Sequence, residues 1–247
     1  MLRPSTVPNL TRFSQDEFAA DYWQYNKGEH VSLFGPTGSG KTTLQFKLLN
    51  ESAAKKLKGV VLVVKPKDKT VDDFNKILNF KRLEDWPPSL FKRYWHKEKR
   101  GWLVWPKPEL DARKNQEKQR IIMQRTIMRN YYKGDSIIVA DETYGLSKTL
   151  RLELELSEVW TKGRSMGAGL WSGTQRPAFV PGFMYDQPSH IFIANDGDKR
   201  SRERYGEIGG TDRKMIENIV QGLNLHEFLY IQRAGPDGRP KYCILTP

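Results

Sequence analysis

Gly35-Pro36-Thr37-Gly38-Ser39-Gly40-Lys41-Thr42 decides the fold class, because it matches the phosphate-loop pattern G-x-x-x-x-G-K-[ST] at every fixed position. It lies between an apolar run, His30–Phe34, predicted to be a strand, and Thr43–Leu57, predicted to be a helix. Glycines let such a loop turn its backbone N–H groups toward phosphate oxygens. Lys41 is then placed to bridge the β- and γ-phosphates, and the hydroxyl of Thr42 to ligate Mg²⁺. The predicted ATP-binding residues are Gly35, Pro36, Thr37, Gly38, Ser39, Gly40, Lys41, Thr42 and Thr43.

A second motif resembles a Walker B strand. The apolar run Ser136–Ala140 ends in two acids, Asp141 and Glu142. Asp141 at the strand tip is predicted to share the Mg²⁺ site with Thr42. Glu142 is predicted to orient and deprotonate the attacking water, since a carboxylate beside a cation stays ionised. The alternative is a strand that ends in a solvated turn, which a phosphate loop upstream disfavours.

A third segment, Gly163–Pro177, contains a short apolar strand that ends in Thr-Gln-Arg-Pro. The amide of Gln175 at this strand tip is predicted to touch the γ-phosphate or the attacking water, and we assign it a catalytic role with Lys41 and Glu142. The alternative is a strand followed by a turn that Pro177 terminates.

Strands alternate with helices along the chain, which predicts an α/β fold with a mostly parallel sheet. The segment around Leu152 and Leu156 fits both periods, and we interpret it as a helix. A hairpin is predicted at the C-terminus. No linker rich in Gly, Pro or Ser divides the chain, so residues 28–247 are predicted to be one domain, preceded by an N-terminal arm and helix over residues 1–27. The other predicted strands are Val60–Val64, Trp102–Trp105, Gly169–Gly173, His190–Ala194, Phe228–Gln232 and Lys241–Leu245, and Leu110–Tyr132 is a predicted helix.

Composition limits the classes of protein that fit. The 247 residues include 38% hydrophobic residues, enough for a sizeable core. The single cysteine, Cys243, excludes an intramolecular disulfide framework, and we expect no signal peptide, no membrane span and a cytoplasmic location. The net charge of +12 favours a polyanionic partner, either nucleic acid or an anionic membrane surface, although basicity can also serve solubility alone.

Together the three motifs resemble the FtsK/HerA superfamily of ring-forming DNA-pumping ATPases, and most closely its viral genome-packaging and mobile-element branch. Weaker similarity lies at Lys65–Asp68 and Gly206–Gly210. The resemblance implies a RecA-like core with a catalytic Glu, ATP hydrolysis with Mg²⁺, and a pentameric or hexameric ring with active sites between subunits. On that pattern Gln175 is the polar sensor and Arg164 is the arginine finger given to the neighbouring subunit. A surface salt bridge or a DNA contact is the alternative for Arg164.

The resemblance leads to the hypothesis of a DNA-translocating motor that acts on double-stranded DNA, with a portal or relaxase as a further partner. The basic run that begins at Lys199 is a candidate DNA contact, although a solvated charged face is the usual explanation of such runs. Its candidate residues are Lys199, Arg200, Arg202 and Arg204. The alternative function is an ATP-dependent assembly or secretion factor, such as one that extrudes filamentous phage. A regulator that hydrolyses nothing is disfavoured by Glu142 and Gln175.

Overall fold

The computed structural model describes residues 10–54, 56–89, 100–208, 210–233 and 238–247. Within them, ten strands form a single sheet in the order β1-β10-β9-β8-β2-β7-β6-β3-β5-β4. Neighbouring strands run parallel except at β9, which is antiparallel to both β8 and β10. The strands are β1 (Arg12–Ser14), β2 (Val31–Phe34), β3 (Lys58–Leu62), β4 (Lys81–Leu83), β5 (Gly101–Val104), β6 (Ser136–Ala140), β7 (Ala168–Thr174), β8 (His190–Ala194), β9 (Phe228–Gln232) and β10 (Lys241–Thr246).

Helices cover both faces of the sheet, as parallel strands require. Helices α2 and α3 pack on one face, and α4, α5 and α8 on the other. Adjacent residues of the central strands therefore enter opposite cores: Ile138 belongs to one and Val139 to the other. The helices are α1 (Gln15–Glu17), α2 (Lys41–Ser52), α3 (Lys69–Leu78), α4 (Ala112–Lys133), α5 (Glu153–Met166), α6 (Phe183–Asp186), α7 (Lys199–Glu203) and α8 (Arg213–Gln221).

The predicted α/β class, the mostly parallel sheet and the antiparallel C-terminal pair are confirmed. Strands β6 and β8 have the predicted bounds, and the segment with two possible periods is helix α5. The other predicted bounds differ from the structure by one to five residues at one end or both, except those of β9, which also match. The helix after the phosphate loop begins at Lys41 and ends at Ser52, because the backbone is extended at Ala53. The next strand is Lys58–Leu62. Residues 234–237 of the predicted hairpin turn lie outside the described part.

The N-terminal segment joins the same sheet and core. Strand β1 pairs in parallel with β10, and the Ser14 hydroxyl accepts a hydrogen bond from the Glu17 N–H at 3.1 Å, as in a capping box. The ring of Trp23 packs edge-on against Trp171 of β7. The described residues before residue 28 therefore share their packing with the rest of the chain.

This topology fixes where a ligand can bind. Strands β3, β6, β7, β2 and β8 lie side by side and parallel, so their carboxyl ends meet at one edge of the sheet. We call this the carboxyl edge. Open parallel sheets bind ligands there. None of the helices in the described ranges has the length and apolar character needed to cross a membrane.

Candidate nucleotide-hydrolysis site

The phosphate loop connects β2 to α2 at the carboxyl edge. Gly38 and Gly40 have φ values of 79° and 90°, a left-handed conformation that glycine adopts without a Cβ clash. A Cβ added to Gly35 would lie 2.7 Å from the Cβ of Ala194 on β8, so the loop is packed closely against its neighbouring strand. Helix α2 begins directly at Lys41, which aims its positive N-terminus at the loop.

The side chain of Lys41 folds back over this loop and is only 5% exposed. Its Nζ donates to the carbonyl of Pro36 at 2.8 Å and to the hydroxyl of Ser39 at 3.3 Å. Burial lowers the pKa of Lys41 to about 8, against the opposing effect of the nearby Asp141 and Glu142 carboxylates. A phosphate chain placed in the loop would stabilise the charged ammonium.

Thr42 and Asp141 meet across the sheet edge. The Thr42 hydroxyl donates to Oδ1 of Asp141 at 2.8 Å, and burial raises the pKa of this carboxyl. A hydroxyl and a carboxylate are hard oxygen donors, and Mg²⁺ typically takes one or two protein ligands and completes its shell with phosphates and water. The predicted pair therefore fits a Mg²⁺ held jointly with a nucleotide.

Glu142 follows Asp141 and is half-buried. Its Oε1 is buried and has no hydrogen-bond partner in the described ranges. Burial, reinforced by the neighbouring Asp141 carboxylate, raises the pKa of Glu142. A buried oxygen that lacks a donor can accept a hydrogen bond from water, and a raised pKa makes the carboxylate a stronger base.

Gln175 directly follows β7, whose last residue Thr174 is in register with Phe34 of β2. Its Oε1 accepts a hydrogen bond from the Thr37 hydroxyl at 2.7 Å. The predicted sensor therefore contacts the phosphate loop itself. Arg176 is held differently: its guanidinium lies 4.9 Å above the ring of Tyr144.

The structure does not bring Arg164 to this site. Arg164 is exposed in the last turn of α5, which precedes the first residue of β7, so it lies at the opposite edge of the sheet from Gln175. Gly28 packs under this helix end, where an added Cβ would lie 2.7 Å from the Arg164 carbonyl oxygen. The Arg164 backbone is thus well anchored while its side chain faces solvent.

The basic run after β8 divides into two parts. Arg204 donates to the carbonyls of Ala178 and Val180 at 3.1 and 2.6 Å and pairs with Glu207. Arg202 donates to the Asp196 carbonyl at 3.0 Å. These contacts give Arg202 and Arg204 structural roles. Lys199 and Arg200 remain exposed, although Lys199 lies 3.9 Å from Glu203.

Two residues at the carboxyl edge were not predicted from the sequence. Asp196, two residues after β8, is nearly buried and acts on Lys41 through its charge. Its position after a predicted strand is the signal that could have identified it. His226 approaches the phosphate loop, since a Cβ on Gly40 would lie 3.2 Å from its Nδ1. Nothing in the local sequence marks His226.

Comparison with known proteins gives structural similarity only: no family model and no curated protein sequence matches the chain. The genome packaging NTPase B204 from Sulfolobus turreted icosahedral virus 2, solved with AMPPCP, is 17% identical, with a TM-score of 0.56 over 90% of this chain and 100% of that chain. The DNA-packaging ATPase B204 from Sulfolobus turreted icosahedral virus is 15% identical, with a TM-score of 0.59 over 90% and 100%. ATPases 2 and 3 of EssC from Geobacillus thermodenitrificans are 14% identical, with a TM-score of 0.52 over 91% of this chain and 41% of that chain.

These similarities establish the fold, which is that of the P-loop ATPases. The shared fold agrees with the resemblance read from the three motifs.

Proposed function

We propose that the protein is an ATP-hydrolysing motor that translocates double-stranded DNA as a ring. One observation carries the proposal: Lys41, Asp141, Glu142 and Gln175 meet at one sheet edge, while Arg164 lies at the other. Four groups suited to phosphoryl transfer are therefore available within one subunit, and the arginine is available to a neighbour. The net charge of +12 favours a polyanionic track.

The residues divide the chemistry of ATP hydrolysis between binding and proton transfer. The loop N–H groups and Lys41 hold the phosphates, and Thr42 with Asp141 would hold Mg²⁺, which neutralises charge on the β- and γ-oxygens when bound. Glu142 takes a proton from the water whose oxygen forms a bond to the γ-phosphorus. The bond from that phosphorus to the bridging oxygen breaks, and ADP leaves. Gln175, tied to Thr37, orients the γ-phosphate or the water.

Arg164 completes the site from the next subunit in this proposal. A guanidinium stabilises the charge that develops on the γ-phosphoryl oxygens. Head-to-tail contacts between identical subunits close into rings, so one interface type would serve every site. Within the 199–204 run, exposure leaves Lys199 and Arg200 as the proposed DNA contacts. A portal or relaxase partner and a cytoplasmic location remain predictions.

The test is the ATPase rate with and without double-stranded DNA at saturating ATP and Mg²⁺. Strong stimulation in the wild type, and none in Glu142→Gln, is the expected result. ATP hydrolysis that DNA leaves unchanged would instead favour the assembly or secretion factor. A wild type that binds ATP and hydrolyses none would favour the regulator.

A further inference from the structure

We propose that the exposed face of helix α4 binds the phosphate backbone of double-stranded DNA; this inference rests on the translocase function proposed above. Within its 22 residues the helix carries a single acid, Glu117, and seven cations. The cations are Arg113, Lys114, Lys118, Arg120, Arg125, Arg129 and Lys133.

Three of these cations have acidic partners: Lys118 pairs with Glu109, Arg120 with Glu117 and Arg125 with Asp85. The stability of the helix does not explain the others. Arg113 and Lys114 lie in its first turn, where the positive end of the helix dipole disfavours cations, and the only acid there is the N-cap Asp111, whose carboxylate already accepts hydrogen bonds from their backbone N–H groups. The packing face of the helix holds buried apolar residues such as Met123 and Ile127 together with three buried polar residues, and none of the seven cations is buried. Arg113, Lys114 and Arg129 are exposed, and none of the three forms an ion pair within the described ranges.

The first half of α4 also borders a cleft of about 410 Å³. Three arginines line it from two separate segments: Arg113 and Arg120 from the helix, and Arg151 from the loop before α5. Arg120 has an exposed partner, Glu117, and exposed pairs of this kind contribute little. Arg151 has a φ of 55°, a conformation that arginine rarely adopts. Glu117 is the only acid among the residues that line the cleft, so three cations face one carboxylate there, and a phosphate group would offset the remaining positive charge.

The length of α4, which carries the seven cations, favours a nucleic acid duplex over a small anion. At ~1.5 Å per residue, α4 is roughly 33 Å long, which is close to one turn of B-DNA. None of the seven cations is among the residues assigned above to the nucleotide site, so they are available for a second polyanion. Helix α4 also carries more cations than the 199–204 run, in which Arg202 and Arg204 already donate to backbone carbonyls.

The cleft also adjoins the catalytic segment. Gln116 of α4 donates a hydrogen bond to the carbonyl of Thr149, the last residue of the short helical segment Gly145–Thr149 that begins three residues after Glu142. Helix α4 leads directly into β6. DNA bound at this face would contact the segment that carries the proposed base, which gives DNA a physical route to stimulate hydrolysis.

The experiment measures the affinity for a duplex of random sequence as a function of salt, by fluorescence anisotropy. The test variant combines Arg113→Gln, Arg120→Gln and Arg151→Asn, since Asn tolerates the left-handed conformation at position 151. Each phosphate contact contributes about 0.9 to the slope of log K against log salt, so we expect the slope to fall by up to about 2.7. The control combines Lys69→Gln, Lys214→Gln and Lys241→Gln, three exposed residues elsewhere, with the same change in charge.

The inference predicts a reduced slope and loss of DNA-stimulated ATPase only in the test variant, with an unchanged basal rate and melting temperature. A wild-type slope in the test variant, or an equal fall in the control, would overturn the inference while leaving the translocase proposal intact. A wild type that binds no duplex would overturn both. Loss of binding to phosphatidylserine vesicles, with no loss of DNA binding, would assign the face to a membrane surface instead.

Discussion

Mixing two inactive variants can reveal whether Arg164 serves a neighbouring subunit. Strand β7 separates Arg164 from the sensor Gln175, and its seven residues at ~3.3 Å each span roughly 23 Å. An arginine side chain does not bridge that distance, so Arg164 cannot reach the phosphate loop of its own subunit. We therefore expect Arg164→Ala to bind ATP normally and to lose hydrolysis.

Both the loss of rate in Arg164→Ala and its recovery in the mixture can be estimated. Loss of an arginine finger lowers the rate by ~10³–10⁵-fold, or about 4–7 kcal/mol of transition-state stabilisation. Glu142→Gln is inactive because it lacks the base. In a random equal mixture of the two variants, a site needs an intact Glu142 from one subunit and an intact Arg164 from the next. About one site in four meets this condition in a head-to-tail ring, so independent sites would restore about a quarter of the wild-type rate.

The assay is steady-state phosphate release from mixed rings purified through two different tags. The matched control mixes Glu142→Gln with the double variant Glu142→Gln/Arg164→Ala, which provides no intact base and should recover nothing. Lys162→Gln, which changes an exposed cation two residues from Arg164, should retain activity. No recovery in verified mixed rings, or full activity in a monomer, would refute the shared site.

Three further predictions concern the site and its support. Lys41→Ala should abolish ATP binding, whereas Glu142→Gln should bind ATP without cleaving it. Titration calorimetry of ATP binding distinguishes the two variants. Near-normal turnover by Glu142→Gln would rule out its assignment as the base. The profile of kcat/KM against pH should fall on the acid side as Glu142, whose pKa is raised, takes up a proton. It should fall on the basic side near pH 8 as Lys41 loses its proton. A flat profile to pH 10 would contradict the lowered pKa of Lys41. Gly169→Ala should lower the stability by about 1–3 kcal/mol in thermal unfolding, because the new methyl group meets the Tyr25 hydroxyl and the Glu29 carbonyl, while Gly197→Ala, with open space around it, should not.

Buried strands were the most predictable part of the fold. Strands β6 and β8 are continuous apolar runs because both faces of a parallel sheet are covered, and their bounds were predicted from the sequence. The three-residue strands β1 and β4 were not predicted. They lie at the two ends of the sheet, and their position depends on pairing with β10 and β5 rather than on a local pattern.

Contacts within the site were predictable where a sequence motif specifies them. They were unpredictable where they depend on the order of the strands in the sheet. The Thr42–Asp141 contact follows from two motifs, but the Thr37–Gln175 bond requires β7 to lie beside β2. The structural role of Arg204 was likewise not predictable from the local sequence. Its partners are carbonyls more than twenty residues earlier in the chain, and a run of basic letters cannot distinguish such an arginine from an exposed one.

Displacement of a third strand from a DNA triplex tests the translocase claim most directly. The wild type, with ATP and Mg²⁺, should strip the third strand from duplexes that carry it at increasing distances, with a lag that grows with distance. Glu142→Gln should bind the same DNA and displace nothing. DNA-stimulated hydrolysis by the wild type without any displacement would contradict the account.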